Sequence, residues 1–481
     1  MFALLYNLVI HLSVALARIV ALFHPKTRKW VEGQKRSLQF TVYSLQLTVD
    51  SEGRSASQLP ETNQSSSPHG RPCHSKLTKS QIINHKSSLT FWFHAASLGE
   101  FEQGRPVIEA VRKQYPEAKL VLTFFSPSGY EIRKDYDQVD LVCYLPADTP
   151  ANVNRFLDAV QPDMALFIKY EFWHNYLHEL KKRQIPTLLF SAIFRSNQLF
   201  FKWYGGFYRD MLFCFDPILV QNHASEALLK SIGYSNVTVA GDTRLDRVAQ
   251  IAAQAKSYPE IEVFKGETPL LIVGSAWPDD MEVLIPFLNQ FPQPLKVIIA
   301  PHEINPEQIQ KWQSELQRTS LRFTVYSFDK EQKAKSKGQK TKGNPLDTRH
   351  STPRSVPFDT LFLDTIGMLS SLYRYADFVY IGGAFGDGLH NILEPAVFGV
   401  PIFFGKPHYQ KFQEAHDLLQ LGGAVSIANA EELKRSFTEV YENQSVRKQW
   451  ADICRKYVLK NAGATEKVME VIKAFQSQTE G

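Results

Sequence analysis

The feature that most constrains this chain is a repeated alternation of short apolar runs with stretches of helical spacing. Strand-like runs are expected at residues 89–94, 119–125, 139–145, 164–168, 186–190, 217–220 and 237–240, and amphipathic helices fall between several of them, at 101–114, 152–160 and 226–232. Strand and helix in succession imply a parallel, doubly wound sheet. The rhythm pauses over a polar-spaced, mostly helical connection at 246–267 and resumes with strands at 270–273, 296–300, 360–364 and 378–381. The tail from Glu431 is helical, with Leu433, Phe437, Val440 and Tyr441 at helix spacing. The expected fold class is therefore α/β, with two Rossmann-like doubly wound domains in tandem. Such domains turn the carboxyl ends of both sheets to a ligand across a cleft.

At 481 residues and 44% hydrophobic content the chain is long enough for two domains with real cores. A net charge of only +5 gives no sign of wholesale nucleic-acid binding. The four cysteines, Cys73, Cys143, Cys214 and Cys454, form no CxxC pair, which argues against a zinc site or disulfide framework and suits a reducing compartment. Residues 1–23 are apolar except for Asn7, His11, Ser13 and Arg18, and Lys26, Arg28, Lys29, Lys35 and Arg36 follow directly. That pattern predicts a membrane anchor at residues 1–24, spanning or lying in the interface, with the rest of the chain on the cytoplasmic side against anionic lipid. A cleaved signal is disfavoured because no basic region precedes the apolar run. The first domain is then expected over 25–245, with a solvated Ser/Gln/Asn/Pro-rich insertion at 51–88, and the second over 246–481, with a flexible Lys-rich loop at 329–354.

The stretch 377–401, DFVYIGGAFGDGLHNILEPAVFGVP, carries a strand into a loop with Gly382, Gly383, Gly386 and Gly388, where the backbone can turn tightly and approach a ligand. Asn391 with Glu394 three residues on reads as a capping box opening a helix, and Pro395 is tolerated in its first turn. A glycine-rich turn between strand and helix is a place for nucleotides. A carboxylate repels a phosphate, so Glu394 is assigned to sugar hydroxyls and the loop amides to the phosphate. In the first domain Glu100 and Glu171 both follow strands directly, where a carboxylate can act as a general base or serve merely as a helix cap. Ser275, His302 and the segment 364–368 lie at strand ends of the second domain.

These residues resemble a family, the Kdo transferases, which attach 3-deoxy-D-manno-octulosonic acid (Kdo) from CMP-Kdo to lipid A precursor. HAASLGE (94–100) is similar to the family's H-A-x-S-x-G-E, and KYEFWHN (169–175) to its E-x-E-x-W-P-N, with Lys169 and His174 as departures. GDTRLD (241–246) resembles G-N-x-K-F-D with Arg244 in place of Lys, and PHEINPE (301–307) loosely resembles P-R-H-P-E-R. DTIGM (364–368) resembles D-T-x-G-E with Met368 in place of Glu, and GLHNILEPAVFG (388–399) is the nearest match, to G-x-H-N-x-L-E-P-A.

The resemblance implies the glycosyltransferase-B fold and an inverting transfer in lipopolysaccharide biosynthesis at the cytoplasmic side of the inner membrane. It implies Glu100 as the base, with Glu171 and Arg244 stabilising the transition state. CMP would be held by Pro301, His302, Ile366, Gly367, Met368, Asn391, Ile392, Leu393 and Glu394. Partners are then the CMP-Kdo donor, the lipid A precursor and the membrane surface, with no protein partner expected. No cofactor is expected, and no metal, since no cluster of His, Asp and Cys has ligand spacing. Two alternatives stay open: another nucleotide-sugar transferase or epimerase of this fold, and a non-catalytic, membrane-associated nucleotide-binding protein. A NAD-dependent dehydrogenase is disfavoured, because no GxGxxG opens the first strand–helix unit.

Overall fold

The structure is a computed structural model and describes residues 2–47, 88–318, 320–323 and 359–479. The Lys-rich loop at 329–354 and all but the last residue of the insertion at 51–88 lie outside the described residues. The chain divides into two compact units. One is built from the chain up to Thr243 together with the last helix, Ala464–Thr479; the other runs from Arg244 to Gly463.

The first unit holds seven parallel strands, β1 (Thr90–Ala95), β2 (Lys119–Phe124), β3 (Leu141–Tyr144), β4 (Met164–Ile168), β5 (Thr187–Ala192), β6 (Ile218–Val220) and β7 (Val237–Val239), in the order β3-β2-β1-β4-β5-β6-β7. All six residues of β1 are buried, and successive side chains serve opposite faces. Trp92 packs with Val121, Phe156 and Tyr176, whereas Phe91 and Phe93 join Val107, Leu120 and Val468. A strand covered on both faces has no polar alternation, which is why β1 reads as the continuous run TFWFHA. Val468, Met469 and Ile472 put the last helix into this second core. Chain order alone assigns that helix to the second domain, whereas it packs in the first unit.

The second unit repeats the plan with β8 (Leu270–Ala276), β9 (Lys296–Pro301), β10 (Ser320–Phe323), β11 (Thr360–Leu363), β12 (Phe378–Ile381), β13 (Ile402–Gly405) and β14 (Ala424–Ile427), all parallel, in the order β10-β11-β9-β8-β12-β13-β14. Leu271 and Val273 face one core, and Leu270 and Ile272 face the other. The sequence reading did not identify β10, β13 or β14.

The N-terminal helix, Phe2–Val20, is long and apolar enough to cross a membrane. It nevertheless docks on the first unit along one face, where Tyr6, Asn7, Ile10, Val14 and Ala17 are half-buried at three- and four-residue spacing and Ala21, just beyond the helix, is buried. The Tyr6 hydroxyl donates to Asp148 Oδ2 at 2.7 Å, and Asn175 Nδ2 donates to Asn7 Oδ1 at 2.8 Å. Asp148, 1% exposed, also accepts the backbone N–H groups of Asn175 and Tyr176, each at 3.0 Å. It thereby caps the helix His174–Lys182, whose own N-cap residue Trp173 makes no side-chain cap bond. Removing the Tyr6 hydroxyl leaves one carboxylate lone pair of Asp148 without its donor. Tyr6→Phe is expected to destabilise the first unit by about 1–3 kcal/mol, read as a lower melting temperature of the full chain. An unchanged melting temperature would mean that the helix is only tethered to the unit and not part of it.

Candidate active site

In the first unit the strand order reverses between the neighbours β1 and β4, where His94 lies opposite Phe167. The carboxyl end of such a pair is the usual ligand position in open α/β sheets. The chain leaves β1 through Ala96 into a helix that begins at Leu98, with Ser97 at its N-cap, three residues earlier than the periodicity suggests. Glu100 therefore sits in the first helical turn, where its Oε2 accepts the Ala96 N–H at 2.8 Å. Burial pushes the Glu100 carboxyl up to about 7, and the charge of Glu171 adds to this; the Ala96 N–H, His94 and Lys169 pull the other way. An acid poised there is half-ionised near neutrality.

β4 runs into Lys169, whose φ of +69° lies in the left-handed region uncommon for a residue with a side chain. Glu171 follows at 6% exposure. Its Oε2 accepts the Trp173 indole N–H at 2.8 Å and lies 3.0 Å from His94 Nε2. The fully buried His94 places Nδ1 2.9 Å from Thr123 Oγ1, which also accepts the Trp92 indole N–H at 2.8 Å. Glu171 is thus fixed by a chain of hydrogen bonds running across β1 and β2 to Trp92. In a dry interior such a network holds its members in one geometry. The sequence reading named Glu171 but gave no role to His94, Thr123 or Trp173. The His and Trp stand inside the quoted motifs, whereas Thr123 is only a polar residue in a buried strand and carries no separate signal.

In the second unit the order reverses between β8 and β12, also neighbours. Beyond β12 the glycine loop folds tightly: a Cβ on Gly382 would come within 2.3 Å of the Ser275 carbonyl oxygen, and one on Gly383, whose φ is +95°, within 2.3 Å of the Gly388 carbonyl oxygen. Only glycine fits either position. The loop is tied down by Asp280, fully buried, whose Oδ2 accepts the N–H groups of Gly383 (2.8 Å) and Trp277 (3.0 Å) and whose Oδ1 accepts the Tyr380 hydroxyl (2.9 Å). Sequence reasoning missed Asp280. Its position three residues after Trp277 at a helix start was the available signal.

Pro301 ends β9, and the exposed His302 ring stacks on Trp277 with centroids 4.3 Å apart and planes 16° from parallel. His390 lies 4.6 Å from His302, centroid to centroid, and its Nε2 accepts the Trp277 indole N–H at 2.8 Å. An acceptor nitrogen is unprotonated, consistent with burial first and His302 second bringing His390 down to about 4. Ile366 is 93% exposed, and Gly367 (φ +92°) has open space around it. The Met368 side chain turns into the core, where its sulfur accepts the Thr365 hydroxyl at 3.3 Å, and its carbonyl accepts the Ser371 and Leu372 N–H groups.

The Asn391–Glu394 segment corrects the expected capping box. The helix starts at Leu393, spans six residues and has no side-chain cap bond at its N-cap residue Ile392. Asn391 Oδ1 accepts the Leu393 N–H at 3.1 Å, and Glu394 Oε1 accepts from the Asn391 side-chain amide at 3.2 Å. Ile392 and Leu393 are both buried in the core. Arg244 is paired with the buried Glu414, Nη1 to Oε1 at 3.0 Å and Nη2 to Oε2 at 3.3 Å, a forked pair of net zero charge. The structure thus brings together Glu100 with Glu171, and His302 with Trp277 and His390. Arg244 is placed against a carboxylate of its own unit.

Two all-parallel sheets, each with chemistry-bearing loops where its strand order reverses, define a protein of the glycosyltransferase-B fold. UDP-GlcNAc 2-epimerase from Neisseria meningitidis bound to UDP-GlcNAc aligns with a TM-score of 0.55 at 15% identity, over 80% of this chain and 100% of that one. Acinetobacter baumannii MurG aligns with a TM-score of 0.50 at 13% identity, over 80% and 99%. Both are likenesses of fold. The family model described as 3-Deoxy-D-manno-octulosonic-acid transferase (kdotransferase) matches residues 69–247. The chain is 26% identical to the 3-deoxy-D-manno-octulosonic acid transferase of Chlamydophila psittaci over 70% of its length and 74% of that protein. It is 24% identical to that of Haemophilus influenzae over 80% and 86%, and 25% identical to that of Aquifex aeolicus over 77% and 90%. These matches bear out the resemblance to the Kdo transferase family.

Proposed function

We propose that this enzyme transfers Kdo from CMP-Kdo to a hydroxyl of the lipid A precursor lipid IVA, with inversion, as a step of lipopolysaccharide biosynthesis at the cytoplasmic side of the inner membrane. The observation that carries the reading is Glu100, a carboxyl brought up to about 7 at the reversal point of the first sheet and set in the motif HAASLGE. Glu100 takes the proton of the acceptor hydroxyl as that oxygen bonds to the anomeric carbon of Kdo. The bond from that carbon to the phosphate oxygen breaks, and CMP leaves with the electron pair. Glu171, held by His94 and Trp173, keeps a fixed negative charge near the anomeric carbon as it becomes electron-poor.

The second unit holds CMP through Pro301, His302, the backbone of Ile366, Gly367 and Met368, and the segment Asn391, Ile392, Leu393 and Glu394. The N–H groups of Gly382, Gly383, Gly386 and Gly388 are all donated within the protein, to Gly274, Asp280 and Gly383, so the phosphate is assigned to Arg244, whose positive charge is tempered by Glu414. The donor and acceptor are tested by incubating the purified full chain with CMP-Kdo, generated in place, and a panel of acceptors. The expected product is Kdo-extended lipid IVA, and transfer from UDP-sugars in preference to CMP-Kdo would overturn the reading.

The role of Glu394 is separable. Its carboxylate is assigned to the ribose hydroxyls, so Glu394→Gln loses charge-assisted bonds and is expected to weaken CMP binding by about 1.5–3 kcal/mol, tenfold or more, in a calorimetric titration. Gln retains the acceptor oxygen for Asn391, so the melting temperature is expected to hold. Unchanged affinity would leave Glu394 with a local structural role only.

A further inference from the structure

We propose that two apolar grooves beside the N-terminal helix bind fatty-acyl chains of the acceptor, so that this helix is part of the substrate site as well as an anchor. The inference rests on the lipid-acceptor reading above. The first groove, 480 Å³, runs between Val14 and Ala17 of the helix, Trp30, and Phe125 and Pro127 beyond β2. The second, 600 Å³, runs between Tyr6 of the helix, Phe172, Leu199, Phe200 and Met211. Each volume lies within the range of about 300–1,000 Å³ typical of small-molecule sites.

Three observations select acyl chains as the occupant. Leu5, Leu8, Leu12, Leu16 and Ile19 on the outward face are all more than half exposed, which suits immersion in lipid and not water. A chain leaving that lipid reaches either groove along the same helix without crossing water. The two grooves also share Ile10 and Trp173, and Trp173 donates to the Glu171 carboxylate. A glycolipid with its chains in the grooves therefore brings its sugars to the carboxylates proposed to act on them. Finally, Lys26 lines the first groove, a cation suited to an anionic headgroup. A helix serving only to concentrate the enzyme at a membrane has no need of grooves that converge on the reacting end.

The test compares Val14→Trp and Ala17→Trp, which fill the first groove, with the wild-type full chain in detergent. Two acceptors are used: a tetra-acylated glucosamine disaccharide bisphosphate and the same headgroup with its acyl chains removed. KM for the acylated acceptor is expected to rise about tenfold or more, the equivalent of roughly two lost buried methylenes, while turnover of the deacylated acceptor is unchanged. Equal effects on both acceptors, or none on either, would overturn the proposal.

A second measurement needs neither turnover nor a variant that folds. The acylated disaccharide with a diazirine in mid-chain is photolysed with the wild-type chain in phosphatidylethanolamine and phosphatidylglycerol vesicles. Labels on Trp30, Phe125 or Phe172 support the grooves, and labels confined to the outward leucines contradict them. If the wild type transfers Kdo to neither acceptor, the functional reading fails on its own account, and the labelling pattern still decides the grooves.

Discussion

Glu100→Gln is expected to lower kcat by about a hundredfold to ten-thousandfold, the usual cost of losing a positioned base. Gln keeps an oxygen to accept the Ala96 N–H and loses only the ability to take a proton, so the fold is expected to stand. CMP affinity is expected to be unchanged, because the groups assigned to the nucleotide all lie in the second unit. The pH profile gives an independent check. A base must be ionised to act, so wild-type kcat/KM is expected to rise with pH along a limb centred near 7 and to be lost below it. The negative charge of Glu171 raises that value, so Glu171→Gln should move the limb to lower pH while also reducing the rate. A Glu100→Gln enzyme with near-normal turnover, or a limb that stays put in Glu171→Gln, would remove Glu100 from the mechanism.

Asp280→Ala is expected to have the largest effect on stability. The carboxylate serves the Gly383 N–H, the Trp277 N–H and the Tyr380 hydroxyl, and it is fully buried. Each donor stranded in a dry site costs about 1–3 kcal/mol, and partial relaxation keeps the sum from being additive, so a total of at least about 3 kcal/mol is expected. The damage should reach function, since Asp280 holds the start of the glycine loop that leads into the segment assigned to CMP. Both the melting temperature and calorimetric CMP binding are therefore expected to fall. Asp280→Asn retains one acceptor oxygen for the two N–H groups, so it should lose much less. If Ala and Asn behave alike, the carboxylate is not what secures the loop.

Both sheets were legible because most of their strands are buried on both faces and stand out as unbroken apolar runs such as MALFI and FVYI. β13 and β14 follow a proline and a pair of glycines that read as turns, which masks the short runs IFFG and AVSI. The partner of the last helix was hidden for another reason: an amphipathic helix announces an apolar face but not the surface it covers. Glu100 and Glu171 were visible as carboxylates at strand ends. The bonds that give them character were not, because His94, Thr123 and Trp173 come from three separate segments that only the β1–β2–β4 register brings together. The capping box does not form at Asn391 because the helix begins only at Leu393, which puts Ile392 and not Asn391 at the N-cap. Arg244 read as a lone cation because Glu414, its partner, lies 170 residues away in sequence.

The central claim, Kdo transfer from CMP-Kdo to a lipid A precursor, is tested most directly by mass. The purified full chain is incubated with lipid IVA and CMP-Kdo generated in place, and the extracted lipid is weighed by mass spectrometry. The account predicts lipid IVA heavier by whole Kdo residues, no gain in mass when CMP-Kdo is withheld, and almost none with Glu100→Gln. Lipid IVA of unchanged mass, alongside a sugar added from a UDP donor to some other acceptor, would contradict it.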